Sequence, residues 1–473
     1  MPRPLARSCR QAATAVTEGT DQLQKPNGVV RIGVGSSFAD DRIGPAVELA
    51  ERGQLDYLAF ECLAERTIAR ENLTRQKDPE KGYTPRLLER MAEVTKPCLD
   101  RGVRIITNMG AANPLGAARA VRRQAKEQGL GDIACAVVLG DDVSETLRRM
   151  PQLPIMESGL PLETLLPKMA SANAYLGADV LLRALQTGAP IVISGRVADP
   201  SLFLAPAMHH HGWSYDDLPR LAAGTIAGHF LECGTQTSGG CFADPGKKDV
   251  PDLAGLGLPF ADLDAAGNVW IGKAEGTGGC VDVRTCTEQL LYEMHDPENY
   301  ITPDCVLDIS GVELRNVGQD RVQATGHRAK PRTATYKVTV GYHDGYIGEG
   351  QISFAGTNAV ARAKLCAQIV LERLKRRGFA YSETRVDYIG MSSLHGMGDG
   401  RPEPYEVRLR IAVRTTDRKS AEAVGFEMRA CHVNGPTGAG GGSDPAVKEV
   451  LAVQSVLIPR EAVRPEMVVE GSL

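Results

Sequence analysis

The stretch Gly228-His229-Phe230-Leu231-Glu232-Cys233-Gly234-Thr235-Gln236-Thr237-Ser238-Gly239-Gly240 places an imidazole, a carboxylate and a thiol within a few residues, just ahead of a glycine-rich turn. If the segment before Gly234 is helical, His229 and Cys233 share a face, because side chains four apart are neighbours on a helix. Such a grouping suits acyl or thioester chemistry, with Cys233 or Glu232 as nucleophile or base and His229 beside them. Gln236, Gly239 and Gly240 would then offer backbone amides to an oxyanion or a phosphate. The plainer reading is a buried cysteine that only packs and a histidine with an ordinary hydrogen bond.

A second run, Glu275-Gly276-Thr277-Gly278-Gly279-Cys280, can likewise bring amides to an anion through Thr277, Gly278 and Gly279, with Glu288, Tyr292 and Glu293 on the helix expected to follow. Its plain reading is a tight turn. The third run, Asn434 to Asp444, is either a phosphate cradle or a flexing loop before a helix expected at PAVKEVLA, capped by Ser443 or Asp444. His209, His210 and His211 are adjacent and so diverge, and the sequence has neither HExxH nor paired CxxC, so no metal site is expected.

These residues need a scaffold, and from Val29 the chain supplies one. VVRIGVG, DYLAFECLA, VRIITNMGA, IACAVVLGDD and PIVISGRVADP are short apolar runs separated by amphipathic helical stretches. This is the pattern of an α/β chain with a doubly wound, mostly parallel sheet in the N-terminal lobe. Ligands collect at the carboxyl ends of such strands. The residues standing there are Gly33, Gly35, Ser36 and Ser37, then Glu61 and Arg66, then Asn108, Gly110 and Asn113, then Asp141 and Asp142, then Arg196 and Asp199. Roughly half of these should be turn and cap residues only. Glu61, Asn108, Arg196 and Asp199 are the substrate-binding candidates, Arg196 as the partner of a substrate carboxylate. GVGSSF follows a strand but has Phe38 where a dinucleotide fingerprint needs its third glycine, so a nicotinamide cofactor is only a minor alternative.

The expected organisation is a tail over 1–28, a Rossmann-like lobe over 29–205, a glycine-rich and helical region over 206–302, and a second, α+β lobe over 303–473. The near balance of 54 basic and 58 acidic residues argues against nucleic acid, and aromatics at 5% are too few for a base-stacking platform. No apolar run is long enough for a membrane helix. Eleven cysteines, scattered and odd in number, indicate free thiols and a reducing, cytoplasmic setting. Arg3, Arg7 and Arg10 precede the first acid, so a targeting presequence is the rival to a plain tail.

Together, IGVGSSFADDRIGPAVELAERGQLDYLAFECLAERTIA, NMGAANP, ANAYLGA, VISGRVADPSL, GHFLECGTQTSGG, GTGGCVDVRTCTEQLLYE and PENYITPD resemble the acyclic terpene utilization AtuA family. The resemblance implies a pathway that degrades branched acids through CoA thioesters, with CoA entering as part of the substrate and no other cofactor indicated. It assigns no catalytic role. Some members carry a further small C-terminal domain, which this chain is expected to lack, leaving open whether a separate small subunit supplies that part. The reading is a catabolic hydratase, lyase or thioester hydrolase, homo-oligomeric, acting on a small molecule in one pocket between the lobes. A non-catalytic binding or assembly subunit is its rival.

Overall fold

The computed structural model describes residues 25–396 and 402–472, so most of the expected tail lies outside the described residues. The chain forms two compact units, Met1–Asp142 with Ala174–Tyr336 and Ile458–Leu473, and Val143–Asn173 with Lys337–Leu457. Two strands beyond residue 303 pair into the sheet of the first unit, and so does the last strand of the chain.

In the first unit ten strands make one sheet. They are β1 (Val29–Val34), β2 (Tyr57–Phe60), β3 (Arg104–Thr107), β4 (Cys135–Leu139), β5 (Ile191–Ser194), β6 (Pro259–Asp264), β7 (Val269–Lys273), β8 (Glu313–Gly318), β9 (Arg321–Thr325) and β10 (Glu466–Glu470). Across the sheet the order is β8-β9-β7-β6-β1-β2-β3-β5-β4-β10. The central β1, β2, β3, β5 and β4 are parallel, as the N-terminal apolar runs predict. Antiparallel strands extend the sheet on both sides. The central strands are mostly apolar because they are buried, with β1, β2 and β5 wholly buried and Arg31 of β1 paired with Asp262. Since β5 enters between β3 and β4, the carboxyl ends of β2, β3 and β5 lie side by side.

The helix Ser201–His211 follows β5 and ends on the three histidines. They serve separate contacts: His209 Nδ1 is 2.8 Å from the Tyr57 hydroxyl and His211 Nε2 is 3.0 Å from the Leu263 carbonyl. The helix Leu218–Glu232 is buried on all sides from Leu221 onward, as an apolar helix without a polar face must be. Asp217 caps its start. It stops at Gly234, whose φ of +52° is left-handed and whose absent side chain leaves room for Ser37: a Cβ there would lie 2.4 Å from Ser37 Oγ.

The second unit is an antiparallel sheet in the order Glu383–Ile389, Glu406–Thr415, Thr335–Ala355, Ala439–Gly440. Helices Ala359–Arg376 and Arg418–Asn434 bury Val360, Val370, Leu374, Val424 and Met428 against Ile352, Leu409 and Ile411. The helix expected at PAVKEVLA is instead part of the strand Ala446–Pro459. Val447, Val450, Val453 and Val456 recur every three residues and mimic helical spacing, but pairing with Thr335–Ala355 decides the matter.

Candidate functional site

The carboxyl ends of the parallel strands converge on a group of carboxylates held around one guanidinium. Arg196, just past β5, is 1% exposed and donates through Nε to the Val197 carbonyl at 2.8 Å, through Nη1 to the Leu63 carbonyl, and through Nη2 to Asp199. Its Nη2 is 4.0 Å from Glu61, and its guanidinium lies 4.5 Å over the ring of Tyr175. Burial works against its charge, but Asp199, Tyr175, Glu61 and Glu65 offset this and raise its pKa further. Arg196 is thus enclosed by protein acceptors. Each of its three nitrogens donates to a protein acceptor, whereas sequence reasoning expected it to pair with a substrate carboxylate.

Glu61, past β2, accepts from the Leu63 amide at 2.8 Å and from Asn108 Nδ2, past β3, at 3.0 Å. Asn108 Oδ1 accepts in turn from the Cys62 amide, so the side chain is fixed at both ends. Burial raises the Glu61 pKa, with Arg196 and these two donors opposing. Tyr175 donates to Glu65 at 2.6 Å. Asp199 is pushed up to about 7 by desolvation, Glu61 and Glu65, against the pull of Arg196. Its side chain keeps 36% of its surface, so water screens part of that effect.

Next to this cluster, the last turn of the helix Leu218–Glu232 supplies a hydrogen-bonded acid and base. His229 Nδ1 is 2.9 Å from Glu232 Oε1, and His229 Nε2 is 3.1 Å from the Leu290 carbonyl. A carbonyl only accepts, so Nε2 carries a hydrogen and one proton lies between Nδ1 and Oε1. Glu232 is pushed up to about 7 by burial, with His229 opposing and Asp199 and Glu293 adding to the rise. Burial lowers the His229 pKa, but Glu232 and the Leu290 carbonyl outweigh it, giving a net rise. The helix carboxyl end, negative in potential, favours a protonated imidazole and disfavours a second anion. Glu232 Oε2 is buried without a hydrogen-bond partner, and so is Gln289 Oε1 on the helix Val283–Leu291. Gln289 Nε2 donates to the His229 carbonyl at 2.7 Å and so anchors the dyad's helix end. The ring of Tyr300 is 5.3 Å from that of His229, and burial with Glu232 and Asp199 keeps its phenol protonated.

Other candidates stand apart. Cys233 falls just outside the helix, as its C-cap, so the expected His229–Cys233 face is replaced by the His229–Glu232 contact. Its thiol is pushed up by burial and by Glu232, with a bond from Gln289 opposing, which leaves it protonated and a poor nucleophile at neutral pH. A Cys233→Ser variant should therefore keep its turnover rate within about twofold of wild type in steady-state assays, and a hundredfold loss would restore the cysteine as nucleophile.

The first two glycine turns are not open cradles. The amides of Gln236, Thr237, Ser238, Gly239 and Gly240 bond to carbonyls of residues 233–236. Thr277 bonds to Ala274, Gly278 to Gly255 and Gly279 to Pro251. Gly279 lines a separate cavity of about 320 Å³ with Cys280, Asp282, Asn316 and Asp320. There too the nearby Val281 and Val283 amides are taken, by Asp320 and Asn316. Asn113 is a helix cap and Asp141 holds the Arg196 amide. Among the described residues no group of three or more His, Cys, Asp or Glu side chains is arranged to hold a metal ion, and the cysteines are free. The candidate cluster draws on the first unit alone.

Sequence reasoning did not single out Glu65, Tyr175, Gln289 or Tyr300. Tyr175 and Tyr300 stand in ANAYLGA and PENYITPD, two of the segments that carry the family resemblance, and Gln289 stands in a third.

The family model for the acyclic terpene utilisation family protein AtuA matches residues 30–469. No curated protein and no solved structure matches the chain significantly.

Proposed function

The chain belongs to the acyclic terpene utilisation AtuA family, and on that premise we propose that it is an enzyme of that catabolism which moves a proton on a branched carboxylic acid or its CoA thioester. The observation that carries the reading is the His229–Glu232 pair, one proton shared across 2.9 Å with the second carboxylate oxygen unpartnered. In this reading the ionised Glu232 takes the proton on Oε2 as general base, while His229, held through Nε2–H on the Leu290 carbonyl, keeps Oε1 in place. Arg196 positions Glu61 and Asp199 and balances part of their charge.

Base catalysis by this pair has a pH signature. A carboxyl group raised to about 7 is mostly protonated below that pH and ionised above it. kcat/KM should therefore rise with pH through a midpoint near 7, measured as initial rates from acid to mild alkali. A flat profile, or one falling across this range, would remove Glu232 from the role of base.

The reaction itself is read by incubating the protein with branched and unsaturated acyl-CoA thioesters and their free acids, followed by liquid chromatography with mass detection. A mass change of water, release of CoA, or a shortened carbon chain names hydratase, hydrolase or lyase. Binding without any such change would favour the second reading, a non-catalytic binding or assembly subunit.

A further inference from the structure

Two of the segments that surround Arg196 lie side by side. The Leu176 carbonyl accepts from the Ala198 amide at 2.9 Å, so the run Tyr175–Gly177 is bridged to the run Arg196–Ala198. Each run leads into a helix, Ala178–Gln186 for the first and Ser201–His211 for the second, and neither helix is capped by the side chain of its own N-cap residue. Both helix starts meet the same carboxylate instead. Asp304 Oδ1 accepts from the Ala178 amide at 2.7 Å, and Asp304 Oδ2 accepts from the Ser201 hydroxyl. Tyr215 donates a third bond, to Oδ1 at 2.7 Å. The carboxylate is 2% exposed and fitted closely: a Cβ at Gly177 would lie 2.5 Å from Oδ1.

An ordinary cap is the residue next to the helix it serves, and it serves one helix. Asp304 stands 126 residues from Ala178 and 103 from Ser201, and it serves two. It sits in the turn of a hairpin with strands Tyr300–Ile301 and Cys305–Asp308, where Thr302 Oγ1 accepts from the Asp304 and Cys305 amides. At the start of the same hairpin the Tyr300 ring lies 5.3 Å from that of His229. One short hairpin therefore touches the dyad at one end and, at its turn, the two segments that carry Tyr175 and Asp199.

We infer that Asp304 is a positioning residue of this site, fixing Tyr175 and Asp199 around Arg196 by holding Ala178 and Ser201 in place. This rests on the reading of His229–Glu232 as the reactive pair, beside which that cluster stands. Asp304 acts through these neighbours, and a misplacement of about 1 Å arising away from the chemistry can cost about a hundredfold in rate.

The first test needs no turnover. Glu232 is faced by His229, Cys233, Glu61, Asp199, Glu293 and Tyr300, and of these Asp199 is tied to Asp304 through Ser201. Released by Asp304→Ala, Asp199 turns to the solvent that already reaches part of it, and Glu232 loses a carboxylate that holds its proton on. In full-length protein carrying 15N-histidine, the pH midpoint read at His229 should then fall from about 7 toward the ordinary carboxyl range. Ser201→Ala, which cuts the link on the Asp199 side alone, should lower it too, and it carries the test if Asp304→Ala does not fold. Asp304→Asn should keep the wild-type midpoint, because its amide still accepts from Ala178 and Tyr215 and can donate to the Ser201 hydroxyl. Tyr215→Phe removes one bond to Asp304 but leaves both helix starts held, so it should unfold more easily and titrate as wild type. If Asp304→Ala and Ser201→Ala also unfold more easily yet titrate as wild type, Asp304 is a cap and nothing more, and the inference is overturned. A shift of the same size in Tyr215→Phe overturns it as well. With any thioester that turns over, Asp304→Ala should lower kcat about tenfold or more with KM within about twofold, and an unchanged kcat would count against the inference. Failure of every thioester to turn over would sink the proposed reaction while leaving the titration result standing.

Discussion

Replacing Glu232 by glutamine should lower kcat/KM by roughly 10²–10⁴-fold at pH 8 while leaving the protein folded and more stable than wild type. The amide reproduces the protonated acid: its nitrogen can donate to His229 Nδ1, as the shared proton does, with Leu290 still accepting from Nε2. What it cannot do is take up a proton. The stability change follows from linkage. Glu232 has a pKa raised to about 7 in the folded chain, above that of an ordinary carboxyl, so its contribution is present at low pH and is lost as pH rises through about 7. At pH 8 the wild-type chain carries that loss, up to roughly 3 kcal/mol, and the glutamine variant does not. Denaturant unfolding at pH 5 and pH 8 checks it. Wild type should lose more stability between the two than Glu232→Gln. Equal pH dependence in the two proteins would mean that Glu232 titrates normally.

Removing Arg196 should have the opposite character, a large loss of stability. The side chain is 1% exposed and is the cation of Glu61 and Asp199. Taking it away leaves Glu61 and the partly exposed Asp199 without their cation and two backbone carbonyls without a donor. Breaking a buried pair from one side costs about 3–5 kcal/mol. Arg196→Met, which keeps most of the volume, should move the denaturation midpoint down by that amount at pH 8. Because Asp199 is then the uncompensated charge, Arg196→Met with Asp199→Asn should recover part of the loss. Simple additivity of the two substitutions would show that the pair is not energetically coupled.

How legible all this was in the sequence depends on the kind of signal. The parallel strands were readable because β1, β2 and β5 are buried on both faces and so are mostly apolar, with Arg31 in β1 tolerated through its buried pair with Asp262. Strand order fixes where ligands gather, so Glu61, Asn108, Arg196 and Asp199 could be named from their places after strands. Their roles could not. Whether an arginine faces a substrate or is enclosed by Leu63 and Val197 depends on loops distant in sequence. The His229–Cys233 pairing failed by a single residue. The helix ends at Glu232, where packing of Gly234 on Ser37 sets the boundary, and that contact spans nearly two hundred residues. The first two glycine turns misled because glycine marks a sharp bend as readily as an anion cradle, and here the amides of 236–240 bond within their own turn while Gly278 and Gly279 bond to Gly255 and Pro251. Tyr300 and Gln289 stand in resemblance segments, but nothing local gave their role, since each joins the site through tertiary packing against His229. At the far end of the chain, valines at a helical interval formed a strand because a long neighbouring strand was there to pair with.

The central claim is that Glu232 moves a proton on a branched acid or thioester, and deuterium reads that directly. Wild type and Glu232→Gln are incubated in D2O with the same acyl-CoA and free-acid panel, and each recovered compound is weighed by mass spectrometry. The account predicts carbon-bound deuterium in at least one substrate or product with wild type, reduced at least a hundredfold in rate with Glu232→Gln. Deuterium incorporated equally by both proteins, or by neither while the substrate is consumed, would contradict it.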